Sequence, residues 1–335
     1  MSTATATVNK DHLKTFCRLN RDGFATIIGV NGMILLRRFV SKLSVEQSFC
    51  ICIGDYDGDP VEFPVDDAAV MRYVRQVKAA DDITCRIVRG ESMSLVLDSH
   101  KLGEMSFDCT KEEIEEPFNV FDKLGEFKAT ISLDDVLAAG TIIDRADEDQ
   151  GRYALGNVVF EDRCIIATDG RRLVSLASSV RYEGVLPVPA SVIEYAARFK
   201  YEIDVFDSYC IAGDSIISNI EGRFPQWQQV FPTTDNKATK TGDELRSLAD
   251  GHLARMKTAG EKKKMGVDFA LHDDKVAKLD ARFMLAAIGK LGSVDISYPD
   301  RFDSSNTKYL TGPVLLTSED RPGWREVIMP MAYDR

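Results

Sequence analysis

The feature that most constrains the fold of this chain is an internal repeat. Residues 7–13 (TVNKDHL) resemble residues 130–136 (TISLDDV), and residues 64–70 (PVDDAAV) resemble residues 187–193 (PVPASVI). Both pairs are separated by the same offset of 123 residues, which indicates a duplicated domain. In the first pair a short strand leads into a helix, with Asn9 or Ser132 at the N-cap position.

A third, shorter copy follows. Residues 279–284 (LDARFM) resemble residues 188–193 at an offset of 91, which is 32 residues less than the first offset. We therefore expect the third copy to lack about a hairpin and a strand from its middle. Its first helix is predicted over residues 244–258, where four residues form an apolar stripe: Leu245, Leu248, Leu253 and Met256.

The segments after each second helix are rich in β-strand signals. Residues 83–107 predict three short strands, and residues 201–220 predict three more. Strands and helices repeated in this order predict an α+β fold with antiparallel sheets. Polar, turn-rich sequence near residues 122–126 and 232–242 predicts three domains, at 1–124, 125–235 and 236–335.

Charge is distributed unevenly between the whole chain and its predicted helices. The net charge of −11 argues against a protein that coats nucleic acid with its entire surface. Cations nevertheless gather at predicted helices of each copy, which favours a basic inner surface, although solvated helix faces would give the same pattern. These candidate DNA-binding residues are Lys10, Lys14, Arg18, Arg21, Arg72, Arg75, Lys78, Arg198, Lys200, Arg255 and Lys257.

Three short motifs carry the strongest functional signal. Residues 165–174 (IIATDGRRLV) predict a strand, a tight turn and a strand, because Asp169 can bond nearby backbone and Gly170 tolerates positive φ. Taken alone, this motif is typical of an ordinary hairpin. Residues 221–232 (EGRFPQWQQVFP) and 326–331 (EVIMPM) complete the set.

In this order the three motifs resemble the signature of the bacterial sliding clamp, the β subunit of DNA polymerase III. That family's patterns are Thr-Asp-Gly-His-Arg-Leu, Gly-x-Phe-Pro-Asp-Tyr and a terminal Val-Met-Pro-Met-Arg-Leu. The resemblance implies three repeated DNA-clamp domains per chain, with helices inside and antiparallel sheets outside. It further implies a homodimeric ring that encircles double-stranded DNA and serves as a processivity factor in DNA replication.

The resemblance also implies a hydrophobic groove that captures short peptides of the replicative polymerase, the clamp loader and repair proteins. Arg171, Gln229 and the tail after Met331 depart from the family pattern, which bears on peptide preference. Core filling between domains is the alternative explanation of the same residues. The implied groove residues are Leu155, Thr168, Gly170, Arg171, Arg172, Leu173, Pro225, Gln229, Val230, Val327, Ile328, Met329, Pro330 and Met331.

Other classes of function find little support in the sequence. The four histidines lack metal-ligand spacing and no nucleotide-binding signature occurs, so we expect no metal, no cofactor and no enzymatic activity. Scattered cysteines and the lack of a long apolar run predict a cytoplasmic protein without a membrane partner. One alternative stays open: a clamp-derived adaptor or decoy that keeps the groove without encircling DNA, favoured by the shortened third copy and altered tail.

Overall fold

The structure is a computed structural model of the chain. It describes residues 6–8, 25–30, 33–42, 45–55, 57, 59–77, 83–89, 92–109, 118–146, 154–220, 222–233, 236–259, 266–271 and 275–332. These residues form two compact units, one within Met1–Gly140 and Val188–Glu221 and the other within Thr141–Pro187 and Gly222–Arg335.

The described part of the chain contains strands and helices in the following order: β1 (Ala6–Val8), β2 (Ala25–Val30), β3 (Met33–Lys42), β4 (Val45–Asp55), β5 (Val61–Val65), α1 (Asp67–Gln76), β6 (Ile83–Arg89), β7 (Met93–Ser99), β8 (Gly103–Asp108), β9 (Phe127–Ile131), α2 (Leu133–Gly140), β10 (Asn157–Thr168), β11 (Arg172–Pro189), α3 (Ala190–Phe199), β12 (Ile203–Phe206), β13 (Tyr209–Ala212), β14 (Ser215–Ser218), β15 (Lys237–Thr241), α4 (Gly242–Ala259), β16 (Gly266–Ala270), β17 (Val276–Asp280), α5 (Ala281–Ile288), β18 (Ser293–Ser297), β19 (Val314–Thr317) and β20 (Arg325–Ile328).

The first unit contains two antiparallel sheets. One has the strand order β1-β6-β7-β8, and the other has the order β5-β2-β3-β4-β14-β13-β12-β9. Ile28, Leu35, Cys50, Tyr209 and Ile216 form a buried cluster that draws on strands from both copies of the repeat. The larger sheet therefore continues from the first copy into the second, and burial of apolar side chains stabilises that continuity.

The second unit also contains two antiparallel sheets. One has the order β10-β11-β20-β19-β18-β15, and the other consists of β16 and β17. A buried cluster of Val159, Ile166, Leu173, Trp227 and Val327 lies against the larger sheet. Helices α4 and α5 pack against each other in this unit, as α2 and α3 do in the first.

The structure confirms the α+β class and the local elements that the repeat predicts. Helix α2 begins after Ser132, whose hydroxyl accepts a hydrogen bond from the backbone N–H of Asp135 at 3.4 Å. Three strands follow α1 and three follow α3, and the helix predicted over residues 244–258 is α4. The equivalent cap residue Asn9 lies outside the described residues. The division into three domains stays a prediction, since the two compact units share the 125–235 segment between them.

Strand pairing shows which elements the third copy lacks. Strands β2 and β5 pair antiparallel, with Ala25 opposite Val65, and β5 leads into α1. Strands β16 and β17 pair in the same manner, with Gly266 opposite Asp280, and β17 leads into α5. β16 and β17 thus correspond to β2 and β5. Among the described residues, the third copy has no counterpart of the β3–β4 hairpin, so the loss is a hairpin without a further strand.

The turn between β13 and β14 supplies a test of the packing in the first unit. Gly213 has φ +58°, and a Cβ atom there would lie 2.4 Å from the Tyr201 ring, which Tyr195 and Phe199 flank. Gly103 has φ +75° with open space around it, so alanine there adds backbone strain alone. We expect Gly213→Ala to lower the free energy of unfolding by about 1–3 kcal/mol more than Gly103→Ala does, measured by urea denaturation. Equal losses would contradict the close contact.

Candidate peptide groove and basic helices

The Thr-Asp-Gly motif forms the tight turn that joins β10 to β11. The Thr168 hydroxyl donates to the carbonyl of Arg172 at 2.7 Å and accepts from the N–H of Gly170 at 3.1 Å. One carboxylate oxygen of Asp169 accepts from the backbone N–H groups of Arg171 and Arg172, both at 2.9 Å. Gly170 has φ +79°, as the motif predicts. The turn is therefore held by its own side chains and needs no ligand to keep its shape.

The two arginines of the turn have different environments. Arg172 is buried: its Nε donates to Asp169 at 3.0 Å, its Nη2 donates to the carbonyl of Asp144 at 2.9 Å, and its guanidinium lies 4.5 Å from the ring centroid of Phe283. The side chain of Arg171 is exposed. Because Arg172 is buried and bonded to residues of its own chain, Arg171 is the arginine that a ligand could contact.

The C-terminal motif extends along this turn. Strand β20 pairs antiparallel with β11, with Val327 opposite Leu173, and the N–H of Met329 donates to the carbonyl of Arg171 at 2.8 Å. Two residues further on, the N–H of Met331 donates to the carbonyl of Lys278 in β17 at 2.8 Å. The Met329 side chain is 40% exposed, so an apolar thioether faces solvent beside the turn.

The middle motif packs beneath the same strands. Its Trp227–Val230 segment is a 3-10 helix, and the buried indole of Trp227 donates to Glu161 at 2.5 Å. Trp227 and Val230 pack in one cluster with Leu173 and Val327. The three motifs, far apart in sequence, thus meet in one part of the second unit.

The predicted groove residues divide into a floor and a rim. Thr168, Arg172, Leu173, Val327 and Ile328 are buried, so core filling accounts for these members and they support the surface from below. The rim consists of residues that are exposed or half-buried: Leu155, Gly170, Arg171, Pro225, Gln229, Val230, Met329, Pro330 and Met331.

Contacts tie some rim residues to the turn more closely than others. A methyl carbon of Leu155 lies 3.7 Å from the point that a Cβ atom on Gly170 would occupy. Gln229 instead donates from its side-chain amide to the side chain of Gln226 at 2.5 Å, and Gln226 is the residue that follows Pro225 and precedes the 3-10 helix. Outside the turn itself, Leu155 and Met329 are therefore rim residues that contact it.

A buried ion pair under the tail was not anticipated from the sequence. Glu326 is fully buried in β20, and its carboxylate accepts from Nε and Nη2 of Arg145 at 3.4 and 3.3 Å. Arg145 also donates to the carbonyl of Ala286 at 2.9 Å. Burial raises the pKa of Glu326, while the guanidinium of Arg145 opposes that rise. The one sequence signal for this ion pair was the carboxylate of Glu326 next to the apolar residues Val327 and Ile328.

The candidate DNA-binding cations lie on exposed helix positions where they are described. Arg72 and Arg75 are exposed on α1, Arg198 and Lys200 at the end of α3, and Arg255 and Lys257 on α4. Helix α2 carries Asp134 and Asp135 but no lysine or arginine, so basic charge is not shared by every helix. Five of the candidates lie outside the described residues: Lys10, Lys14, Arg18, Arg21 and Lys78.

Neither metal ligands nor a membrane segment are found in the part of the chain that the structure describes. There, no group of three or more histidine, cysteine, aspartate or glutamate side chains is placed to hold a metal ion. The described helices include none with the length and apolar character that crossing a membrane requires.

Comparison with known proteins identifies the fold. No protein-family model and no curated protein matches the sequence. A β sliding clamp from Caulobacter crescentus superposes with a TM-score of 0.68 at 15% identity, over 99% of each chain. The DNA polymerase III β subunit of Thermotoga maritima gives 0.68 at 12% identity over 100% of both chains. A sliding clamp from Pseudomonas aeruginosa bound to griselimycin gives 0.64 at 16%, over 99% of this chain and 100% of that one. The chain therefore has the bacterial sliding-clamp fold.

The Arg145–Glu326 pair can be tested by a double-mutant cycle. Arg145→Met leaves the buried carboxylate of Glu326 without its guanidinium partner, and we expect it to lower the free energy of unfolding by about 3–5 kcal/mol. Glu326→Met should cost less, because Arg145 keeps its ion pair with Asp144. The double variant should lose clearly less than the sum of the two, because it buries no unpaired charge. Urea denaturation of all four proteins gives the coupling energy. Additive losses would mean that the two groups do not stabilise each other.

Proposed function

We propose that this protein is a DNA sliding clamp: a homodimeric ring that encircles duplex DNA and tethers a replicative polymerase. The observation that carries the proposal is the convergence of the three motifs, with the tail bonded to the Thr-Asp-Gly turn through Met329 and Arg171. The sliding-clamp fold supports it. Such a protein acts by enclosure, so it needs no catalytic group and no cofactor. We place it in the cytoplasm, where replication occurs.

Enclosure demands only weak, sequence-independent attraction to the DNA backbone. Exposed arginine and lysine side chains on α1, α3 and α4 supply positive charge in a chain whose net charge is −11. Such contacts release counterions from the phosphates and weaken as salt rises, and they carry no base preference. A clamp with these cations facing DNA would hold the duplex and still slide.

Partner binding is assigned to the groove around Met329. Methionine side chains adapt to different apolar anchors, and Leu155, Val230 and Pro330 are half-buried neighbours in the same rim. Arg171 supplies an exposed cation for a polar or acidic end of a bound peptide. The partners proposed for this groove are the replicative polymerase and the clamp loader, each through a short peptide with leucine or phenylalanine anchors.

A second candidate function is a clamp-derived adaptor or decoy that binds the same peptides without encircling DNA. The observation that favours it is the third copy, in which β16 and β17 stand without described counterparts of β3 and β4. The groove is built from the second unit alone, so it would persist in a monomer. Trapping of the protein on circular DNA would distinguish the two functions.

Retention on DNA tests the ring. The protein is allowed to thread onto a linear plasmid, which is then ligated into a circle and passed through a gel-filtration column. We expect the clamp to elute with the circle and to be released when the plasmid is cut, because enclosure ends at a free end. Arg75→Ala, Arg198→Ala and Arg255→Ala combined should lower loading several-fold and reduce its salt dependence.

The matched control replaces three exposed cations of the strands and loops: Arg181→Ala, Lys237→Ala and Lys308→Ala. It should load like the unaltered protein. Equal recovery from linear and circular plasmid, with an intact peptide-binding groove, would refute the clamp in favour of the adaptor.

Peptide binding tests the groove. Replacing Met329 and Met331 together by alanine keeps the backbone hydrogen bonds of both residues and removes only their side chains. Loss of roughly 1–2 kcal/mol of apolar contact per methionine should weaken the binding of a labelled polymerase peptide about thirtyfold to several hundredfold, as measured by fluorescence anisotropy. Val185→Ala, at an apolar position 52% exposed in β11, should bind normally. Normal binding by the methionine variant would exclude this groove.

A further inference from the structure

The three motifs present only positive charge to solvent where the structure describes them. Their described charged residues are Asp169, Arg171, Arg172, Arg223 and Glu326. Arg172 and Glu326 are buried, and Asp169 is half-buried. Arg171 and Arg223 are exposed. A ligand that approaches the motifs would therefore meet two guanidinium groups and no exposed carboxylate of the described motif residues.

The charge of Asp169 is already compensated inside the turn. One of its carboxylate oxygens accepts from the backbone N–H groups of Arg171 and Arg172, and the other accepts from Nε of Arg172 at 3.0 Å. Within the described part of the chain, neither Arg171 nor Arg223 forms an ion pair through its side chain. Both guanidinium groups can therefore bind an anion from outside.

Leu155 connects the two segments that carry these arginines. One of its methyl carbons lies 3.7 Å from the point that a Cβ atom on Gly170 would occupy, and Gly170 directly precedes Arg171. The N–H of Ala154, which directly precedes Leu155, donates to the carbonyl of Arg223 at 3.1 Å. A half-buried apolar side chain is thus held next to two segments that each carry an exposed guanidinium.

Backbone hydrogen bonds hold both arginines in position while their side chains remain exposed. The carbonyl of Arg171 accepts from the N–H of Met329 at 2.8 Å, and its N–H donates to Asp169. The carbonyl of Arg223 accepts from Ala154. Because the backbone is already ordered, binding of an anion costs only the ordering of the two side chains.

We propose that the groove selects partner peptides in which an aspartate or glutamate stands next to the apolar anchor that packs on Leu155, and that Arg171 and Arg223 bind this carboxylate. The inference rests on the proposed function, which assigns peptide binding to the groove, and it names a residue type that the peptide must carry. Arginine suits this role, because its guanidinium stays charged and presents paired N–H donors to a carboxylate.

The residue at position 171 decides whether this selection operates at neutral pH. The sliding-clamp pattern has histidine after Thr-Asp-Gly, whereas this chain has Arg171. An imidazole with an ordinary pKa of about 6.5 is mostly neutral at neutral pH. We therefore expect this chain to discriminate between acidic and neutral peptides under conditions in which a histidine at the same position would not.

Paired peptides test the selection. Two labelled peptides share leucine and phenylalanine anchors and differ only in aspartate or asparagine beside the leucine, and a second pair places the difference on its other side. In fluorescence anisotropy the aspartate peptide of at least one pair should bind about threefold to tenfold more tightly, and the difference should shrink as salt is added. Equal binding within both pairs would overturn the inference.

Variants of the two arginines assign the effect to them. Arg171→Gln and Arg223→Gln should each weaken the aspartate peptide about threefold and leave the asparagine peptide unchanged, which also shows that the groove is intact. Arg171→Glu should favour a peptide with lysine at the same position. Lys237→Gln, at an exposed position of β15, should behave as the unaltered protein does. A preference for aspartate that survives the combined Arg171→Gln and Arg223→Gln variant would overturn the assignment.

Arg171→His gives a readout that a purely structural role would not change. It should match Arg171→Gln at about pH 8 and the unaltered protein at about pH 5.5, because the imidazole gains its charge between these values. The charged groups of the turn, Asp169 and Arg172, act on both peptides alike, so the ratio of the two affinities isolates the peptide carboxylate. A ratio independent of pH in this variant would contradict a charge effect at position 171.

The outcome for the selection is distinguishable from the outcome for the groove. If aspartate and asparagine peptides bind equally and the Met329→Ala, Met331→Ala variant binds neither, the groove stands and the selection is refuted. If no peptide binds to the unaltered protein, the groove is refuted and the selection with it.

Discussion

Backbone pairing across the boundaries of the repeat is the constraint on which the rest of this structure depends. An edge strand exposes N–H and C=O groups that must find a partner or be protected. β14 and β20 meet this demand by joining β4 and β11, and the buried residues of both joints belong to the cores of their units. The joints therefore do more than connect copies: they decide which strands remain at an edge.

The sequence predicted those parts of the fold that depend on local signals. The repeat, the capped start of α2, the extent of α4 and the Thr-Asp-Gly turn all follow from spacing or turn chemistry within a few residues. The burial of Arg172 could not be predicted, because it depends on Asp144 and Phe283, which are remote in sequence. The identity of the missing hairpin also required strand pairing, since an offset in length does not say which strands are lost.

The proposed groove illustrates the same limit. Sequence motifs predicted its members together, but they did not distinguish the floor from the rim, because each set contains apolar residues and an arginine, Arg172 in the floor and Arg171 in the rim. Burial separates them: Val327 and Ile328 are fully enclosed, while Met329, the next residue, is 40% exposed. The change comes where β20 ends and its chain continues past the turn at Arg171. The exposure of a side chain in the proposed groove therefore depends on where its strand ends as much as on residue type.

The buried Glu326 explains how the end of β20 is fixed. A slip of one residue between β20 and β11 would turn every β20 side chain to the opposite face and take Glu326 away from Arg145. The slipped arrangement would leave a buried charge unpaired, which is far more costly than a rearranged apolar contact. An apolar residue at position 326 would tolerate the slip more easily. The ion pair therefore favours the observed register of β20, and with it the position of Met329 at the rim of the proposed groove.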